Sequence, residues 1–74
     1  SDHSNEIINT FVHESRHYDD NINGTRSIFK SINEMNACHR QFNHPTFNKT
    51  RKEFRRGVNE YYEQFVFKFL LYDE

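Results

Sequence analysis

The fold class this sequence predicts is all-α: a domain of three helices joined by short loops. Three observations point there. Apolar residues recur at spacings of three and four in three separate stretches. Those stretches are parted by Asn23-Gly24 and by His44-Pro45, pairs that interrupt regular structure. No internal repeat, low-complexity tract or second composition block divides the chain, so residues 1–74 read as one domain.

The first helix follows a polar start, Ser1 to Asn5, in which Ser4 or Asn5 is the expected cap and Glu6 falls in the first turn. Ile7, Ile8, Phe11, Val12, Ser15 and Tyr18 then form a stripe along one side. At ~100° per residue, His13 and His17 fall opposite Ile8, Phe11 and Val12, with Glu14 at the border. The stripe is expected in the core and the histidines toward a cleft. Asp19-Asp20-Asn21 and Asn23-Gly24 end the helix, because Asn-Gly favours positive φ.

A second helix is expected from about Thr25 or Ser27 to Asn43, with Ile28, Ile32, Met35, His39 and Phe42 on its packing face. Pro45 ends it by disfavouring a helical conformation at His44. Thr46, Asn48 or Thr50 would cap a third helix bearing Phe54, Val58, Tyr61, Phe65 and Phe69 or Tyr72 on one face. The alternation from Phe65 to Leu71 also fits a strand.

Composition narrows the function. Apolar residues make up 34% of the chain, but eight Phe and four Tyr offer large buried surface per residue, enough for a small and thinly stabilised aromatic core. Ten basic against eleven acidic residues leave a net charge of −1, which argues against a general nucleic-acid binder. The basic run Lys49, Arg51, Lys52, Arg55, Arg56 reads as a solvated helix face, with a phosphate-binding patch as its weaker alternative. No charged segment followed by an apolar run marks a signal peptide, and nothing approaches the ~20 consecutive apolar residues of a membrane span. Cys38 is the only cysteine, which excludes an internal disulfide and reads as a small buried residue.

The chemistry concentrates in His13-Glu14-Ser15-Arg16-His17. Histidines four apart on a helix point from neighbouring turns of one face, so both imidazoles can reach one ion and form half of a tetrahedral Zn²⁺ site. Glu14 is badly aimed for ligation but near enough to bond a water at the ion, the position a general base needs. The ordinary alternative is a pair of surface histidines. A hydrolytic site needs a third ligand and an open position, and Asp19, Asp20, Glu34, Cys38, His39 and His44 are the residues available.

This pattern, followed after a loop by Asn33-Glu34-Met35-Asn36-Ala37, resembles the zincin metallopeptidases of the gluzincin kind. The resemblance spans residues 9 to 37. It implies that Glu34 is the third ligand beside His13 and His17, that Glu14 is the base, and that the substrate is a peptide or protein. The wording of residues 9–17 and of Gln41-Phe42-Asn43-His44-Pro45-Thr46-Phe47 is also similar to small metallopeptidase-like domains of Rhs-type polymorphic toxins and related secreted proteins of Bacteroidetes. That likeness implies a secreted or extracytoplasmic bacterial setting. The chain departs from the gluzincin pattern at three points. Arg16 and Asp19 stand where uncharged and apolar residues are usual, Cys38 stands where an Asp orients a zinc-bound His, and no substrate-presenting sheet fits into Ser1 to Glu6. Asp20, three residues after His17, is a candidate for the orienting role. His39 reads as a packed core histidine, with donation to the oxyanion as its alternative, and Tyr18, Tyr61 and Tyr62 read as core or rim aromatics of which one could assist there.

A reading from a different class is a non-catalytic helical interaction module. Its aromatic stripes would exceed its own core and bury against a partner chain or a second copy.

Overall fold

Three α-helices carry the chain: α1 (Asp2–Asn23), α2 (Lys30–Asn43) and α3 (Lys52–Tyr72), with a 3-10 turn at Phe47–Lys49 between the last two. This computed structural model describes residues 1–72, and the last two positions of the expected 1–74 span lie outside the described residues. No strand occurs among the described residues, and the Phe65 to Leu71 alternation lies inside α3. Residues four apart share a helix face: Phe65 is buried and Phe69 meets Phe29 edge to face at 5.7 Å, while Phe67 between them is exposed.

Local chemistry sets the helix ends, with the stops of α1 and α2 where expected and the starts elsewhere. The Ser1 hydroxyl, rather than Ser4 or Asn5, caps α1 by accepting from the Ser4 N–H at 3.2 Å. Gly24 closes α1 in the left-handed region (φ 69°), its N–H donating to the Asp20 carbonyl. α2 begins at Lys30, later than Thr25 or Ser27. The Asn33 side chain brackets Ser27, accepting its N–H at 2.8 Å and donating to its carbonyl at 2.9 Å. Both backbone groups of Ser27 are thereby spent outside a helix. α2 ends as Pro45 dictates, with His44 extended (φ −81°, ψ 139°). At the start of α3 the Arg51 N–H donates to Glu6 Oε2 at 2.9 Å, so a carboxylate from α1 does the work expected of Thr46, Asn48 or Thr50.

α2 lies between α1 and α3, and the molecule is thin, with principal extents of 37 × 28 × 14 Å. That shape leaves little interior. The buried apolar residues are Val12, Ala37, Cys38, Phe47 and Phe65, and buried polar residues outnumber them: Glu6, Asn9, His13, Asp20, Ser31, Asn33, Gln41 and Thr50. Among the described residues, the Ser31 hydroxyl alone of these has no hydrogen-bond partner. Edge-to-face aromatic contacts join α2 to α3 through the half-buried pair Phe42 and Tyr62 at 5.4 Å, and Phe42 also packs on the buried Phe47 of the 3-10 turn at 5.2 Å.

Apart from Val12, the packing face of α1 is the reverse of the one its apolar stripe suggests. Ile7, Ile8, Phe11 and Tyr18 are exposed, Phe11 by 68%, whereas Glu6, Asn9, Val12, His13 and Asp20 are buried. The buried set repeats at three and four, and its polar members are satisfied mainly by partners from outside the helix. Glu6 is held by Arg51, Asn9 by Gln41 and Thr46, and Asp20 by Thr25 together with Arg16 of its own helix. The packing face of α2 also differs. Ile28 precedes the helix and is exposed, as is His39, while Ala37, Cys38 and Gln41 are buried. No helix among the described residues is long and apolar enough to cross a membrane.

Candidate metal centre

α1 sets His13 and His17 one turn apart on the side that faces α2, with their rings edge to face at 5.1 Å. α2 brings Glu34 between them. Its Oε1 lies 3.2 Å from His13 Nε2 and its Oε2 lies 2.8 Å from His17 Nε2. Ligand atoms of His13, His17 and Glu34 all fall within 4.8 Å of one another, a grouping able to hold a metal ion. Burial pushes the Glu34 carboxyl up, but the Tyr61 hydroxyl and the two histidines together outweigh it, so its pKa lies below the ordinary value.

A chain of hydrogen bonds determines how His13 presents itself. Asn9 is fully buried, and its Nδ2 donates to the Gln41 carbonyl at 3.2 Å and to the Thr46 hydroxyl at 3.1 Å. A carbonyl can only accept, so the Asn9 amide has one orientation and its Oδ1 takes the Gln41 Nε2–H at 3.0 Å. Gln41 Oε1 is then the atom 2.7 Å from His13 Nδ1, which must carry the hydrogen. In the neutral ring Nε2 is left with a free lone pair aimed at Glu34. No such partner is bonded to the other ring nitrogen of His17 among the described residues.

Tyr61, from α3, donates its hydroxyl to Glu34 Oε1 at 2.7 Å and packs edge-on against His13 at 5.8 Å. Burial, and then the Glu34 carboxylate, raise the Tyr61 pKa well above the usual phenol, so it remains a donor. Glu14 is exposed and stands where two cavities meet the cluster. One cavity, about 370 Å³, is lined by Glu14, His17, Asp20, Asn33, Glu34 and the cations Arg26 and Lys30, together with Asn21. The other, about 410 Å³, lies between α1 and α3, where His13, Glu14, Phe54, Val58 and Tyr61 contribute to its walls.

The structure therefore brings His13, His17, Glu34 and Glu14 to one place. It does not bring the remaining candidates to the ligand atoms. Asp20 lines the first cavity, but its carboxylate is occupied by Thr25 and Arg16, which hold its pKa below the ordinary value. Tyr18 lies on the exposed outer face of α1 and lines neither cavity. His39 is exposed rather than packed in the core, and its Nε2 pairs with the Tyr62 hydroxyl at 3.1 Å. Cys38 is fully buried, and burial, then the nearby Glu34, push its thiol up to about 12, which leaves it an inert packing residue as expected. Gln41 and Asn9 were not singled out from sequence. Gln41 had one usable signal: it follows Glu34 by seven residues, two turns on, and so shares the Glu34 face of α2.

Compared with known protein families, residues 2–74 match the model of one described as metallopeptidase toxin 2. No curated protein and no solved structure matches the chain.

Proposed function

Because the chain belongs to the metallopeptidase toxin 2 family, we propose that it is a zinc-dependent peptidase acting on a protein substrate, with His13, His17 and Glu34 holding Zn²⁺ and Glu14 serving as general base. One observation carries this reading. With His13 pinned by Gln41 as the Nδ1–H form, the Nε2 lone pair and Glu34 Oε1 are two acceptors facing each other at 3.2 Å. Such a contact is favourable only with a proton or a metal ion between them. The second carboxylate oxygen lies 2.8 Å from His17 Nε2, and two imidazoles with one carboxylate are the donor set of a catalytic zinc site with one position left open.

Bound there, zinc supplies a Lewis acid that polarises the scissile carbonyl and brings the pKa of a water toward ~7. Glu14 has no ion-pair or hydrogen-bond partner among the described residues, so its carboxylate is free to take the water's proton and return it to the leaving amine. Tyr61 steadies Glu34 through its hydroxyl, and Gln41 keeps the Nε2 of His13 bare.

Titration of the chelated protein with zinc tests the reading, following melting temperature and bound-metal stoichiometry. One zinc per chain is expected, raising the melting temperature of the wild type and binding much more weakly to His13→Ala and Glu34→Ala. Glu14→Gln should bind zinc normally and lose peptide hydrolysis. Zinc binding that does not depend on His13 would sink the assignment.

A second reading, the interaction module, draws support from the exposed apolar residues Phe11, Tyr18 and Ile22 on α1 and Phe67, Leu70 and Leu71 on α3. It predicts stability that rises with protein concentration and ignores metal.

A further inference from the structure

The cavity beside His17 holds two cations that the chemistry above does not use. Arg26 and Lys30 line its wall together with Glu14, His17 and Glu34. Neither makes an ion pair or side-chain hydrogen bond among the described residues, whereas Arg16, Arg40 and Arg51, the other arginines close to α1, are each paired with a carboxylate. Of the three carboxylates in the same wall, Asp20 is satisfied by Arg16 and Thr25 and Glu34 is committed to the His13–His17 cluster and Tyr61, which among the described residues leaves Glu14 as the one unpaired carboxylate against the two cations. Lys30 also opens α2, whose first turn has no side-chain cap, so the positive end of that helix adds to the same wall. The cavity across Glu14 differs in kind, since Phe54, Val58 and Tyr61 make its wall largely apolar.

Two unpaired cations against one unpaired carboxylate leave an excess of positive charge in a concave wall next to the reacting centre, which concentrates anions there. We propose that this cavity selects a carboxylate of the bound peptide, held by Arg26 and Lys30 to one side of the cleaved bond, so that the preferred substrates are acidic on that side. The proposal rests on the peptidase reading. An Asp or Glu side chain and a free C-terminal carboxylate present the same chemistry to these cations. Arg26 can take either oxygen pair in a forked contact and Lys30 adds a point charge.

The test uses the zinc-loaded protein and quenched fluorescent peptides that share one uncharged core. In one series Asp or Glu replaces Asn or Gln at each position near the core, and in another a free C-terminus replaces the amide. At one position the acidic peptide is expected to exceed its amide twin by about tenfold in kcat/KM. That ratio should shrink at high salt, fall close to one in Arg26→Gln/Lys30→Gln, and invert in favour of basic peptides in Arg26→Glu/Lys30→Glu. Whichever series shows the preference identifies the source of the carboxylate. Fluorescence anisotropy of the same peptides on zinc-loaded Glu14→Gln measures binding without turnover, and the same order of affinities is expected. Equal cleavage and equal binding of acidic and amide peptides, or a ratio untouched by the double variants, would overturn the proposal. Absence of cleavage with every peptide counts against the peptidase reading, and the anisotropy measurements then decide this one alone.

Discussion

Replacing Gln41 by Met probes the link between the buried polar chain and the metal centre. Gln41 is 4% exposed, and Met fills a similar volume without its amide. Two hydrogen bonds disappear, the 2.7 Å contact to His13 Nδ1 and the 3.0 Å contact to Asn9 Oδ1, and both partners stay buried. A buried polar group left unpaired costs about 1–3 kcal/mol, so the two together should lower stability by about 2–6 kcal/mol. The effect on the metal has a separate origin. Without an acceptor at Nδ1 the proton can move to Nε2, which removes the lone pair a ligand needs. Loss of such an orienting partner typically weakens metal binding 10- to 100-fold. Zinc competition against a chromophoric chelator gives the affinity, and urea unfolding with excess zinc gives the stability. Gln41→Glu is not a rescue, because its second oxygen would face Asn9 Oδ1 while the Asn9 Nδ2 remains committed to the residue 41 carbonyl and to Thr46. A folded Gln41→Met protein that binds zinc within twofold of wild type would refute the claim that Gln41 sets the His13 tautomer.

Three further outcomes are expected. Hydrogen bonds from the Arg51 side chain and N–H hold the Glu6 carboxyl down to about 2, so its stabilisation is complete above the unfolded value near ~4.3 and is lost as pH falls toward 2. Glu6→Gln should flatten the dependence of the urea midpoint on pH in that window, and an unchanged slope would disprove the assignment. Asn33→Ala removes both bonds to Ser27 and should cost about 2 kcal/mol, with faster amide exchange confined first to residues 25–29. Tyr61→Phe withdraws one of the groups that lower Glu34, so Glu34 should protonate at higher pH and zinc affinity should fall a few-fold more at acid pH than at neutral pH. Parallel affinity curves for wild type and Tyr61→Phe would contradict that role.

Much of the fold was legible because helix periodicity and helix breakers act over a few residues. Three helices, the stop at Gly24 and the stop before Pro45 follow from contacts within a turn or two. The start of α2 was misplaced because the side chain that delays it, Asn33, acts backward from inside the helix on Ser27. The strand alternative for residues 65–71 arose because a Phe at every second position fits both periods, and packing of Phe65 and Phe69 against the rest of the molecule selects the helix. The face of α1 was misjudged for a thermodynamic reason. An apolar stripe is a reliable guide only where there is a thick core to receive it, and a layer 14 Å deep offers none. Burial of the opposite face is favourable because Glu6, Asn9 and Asp20 find donors or acceptors for the groups they bring inside.

By itself the sequence determined three helices and a pair of histidines one turn apart with a glutamate between them, since all of these depend on separations of a few residues along one helix. That Glu34 stands with the two histidines was expected from resemblance alone, because no local rule carries a side chain across a loop. Only the tertiary structure decided that Gln41 and Asn9 set the His13 tautomer, that Tyr61 reaches Glu34 from α3, and that the cluster lies between a charged cavity and a largely apolar one. Each of those depends on which helix faces meet, and that is decided by the pairing of buried polar groups across the whole molecule.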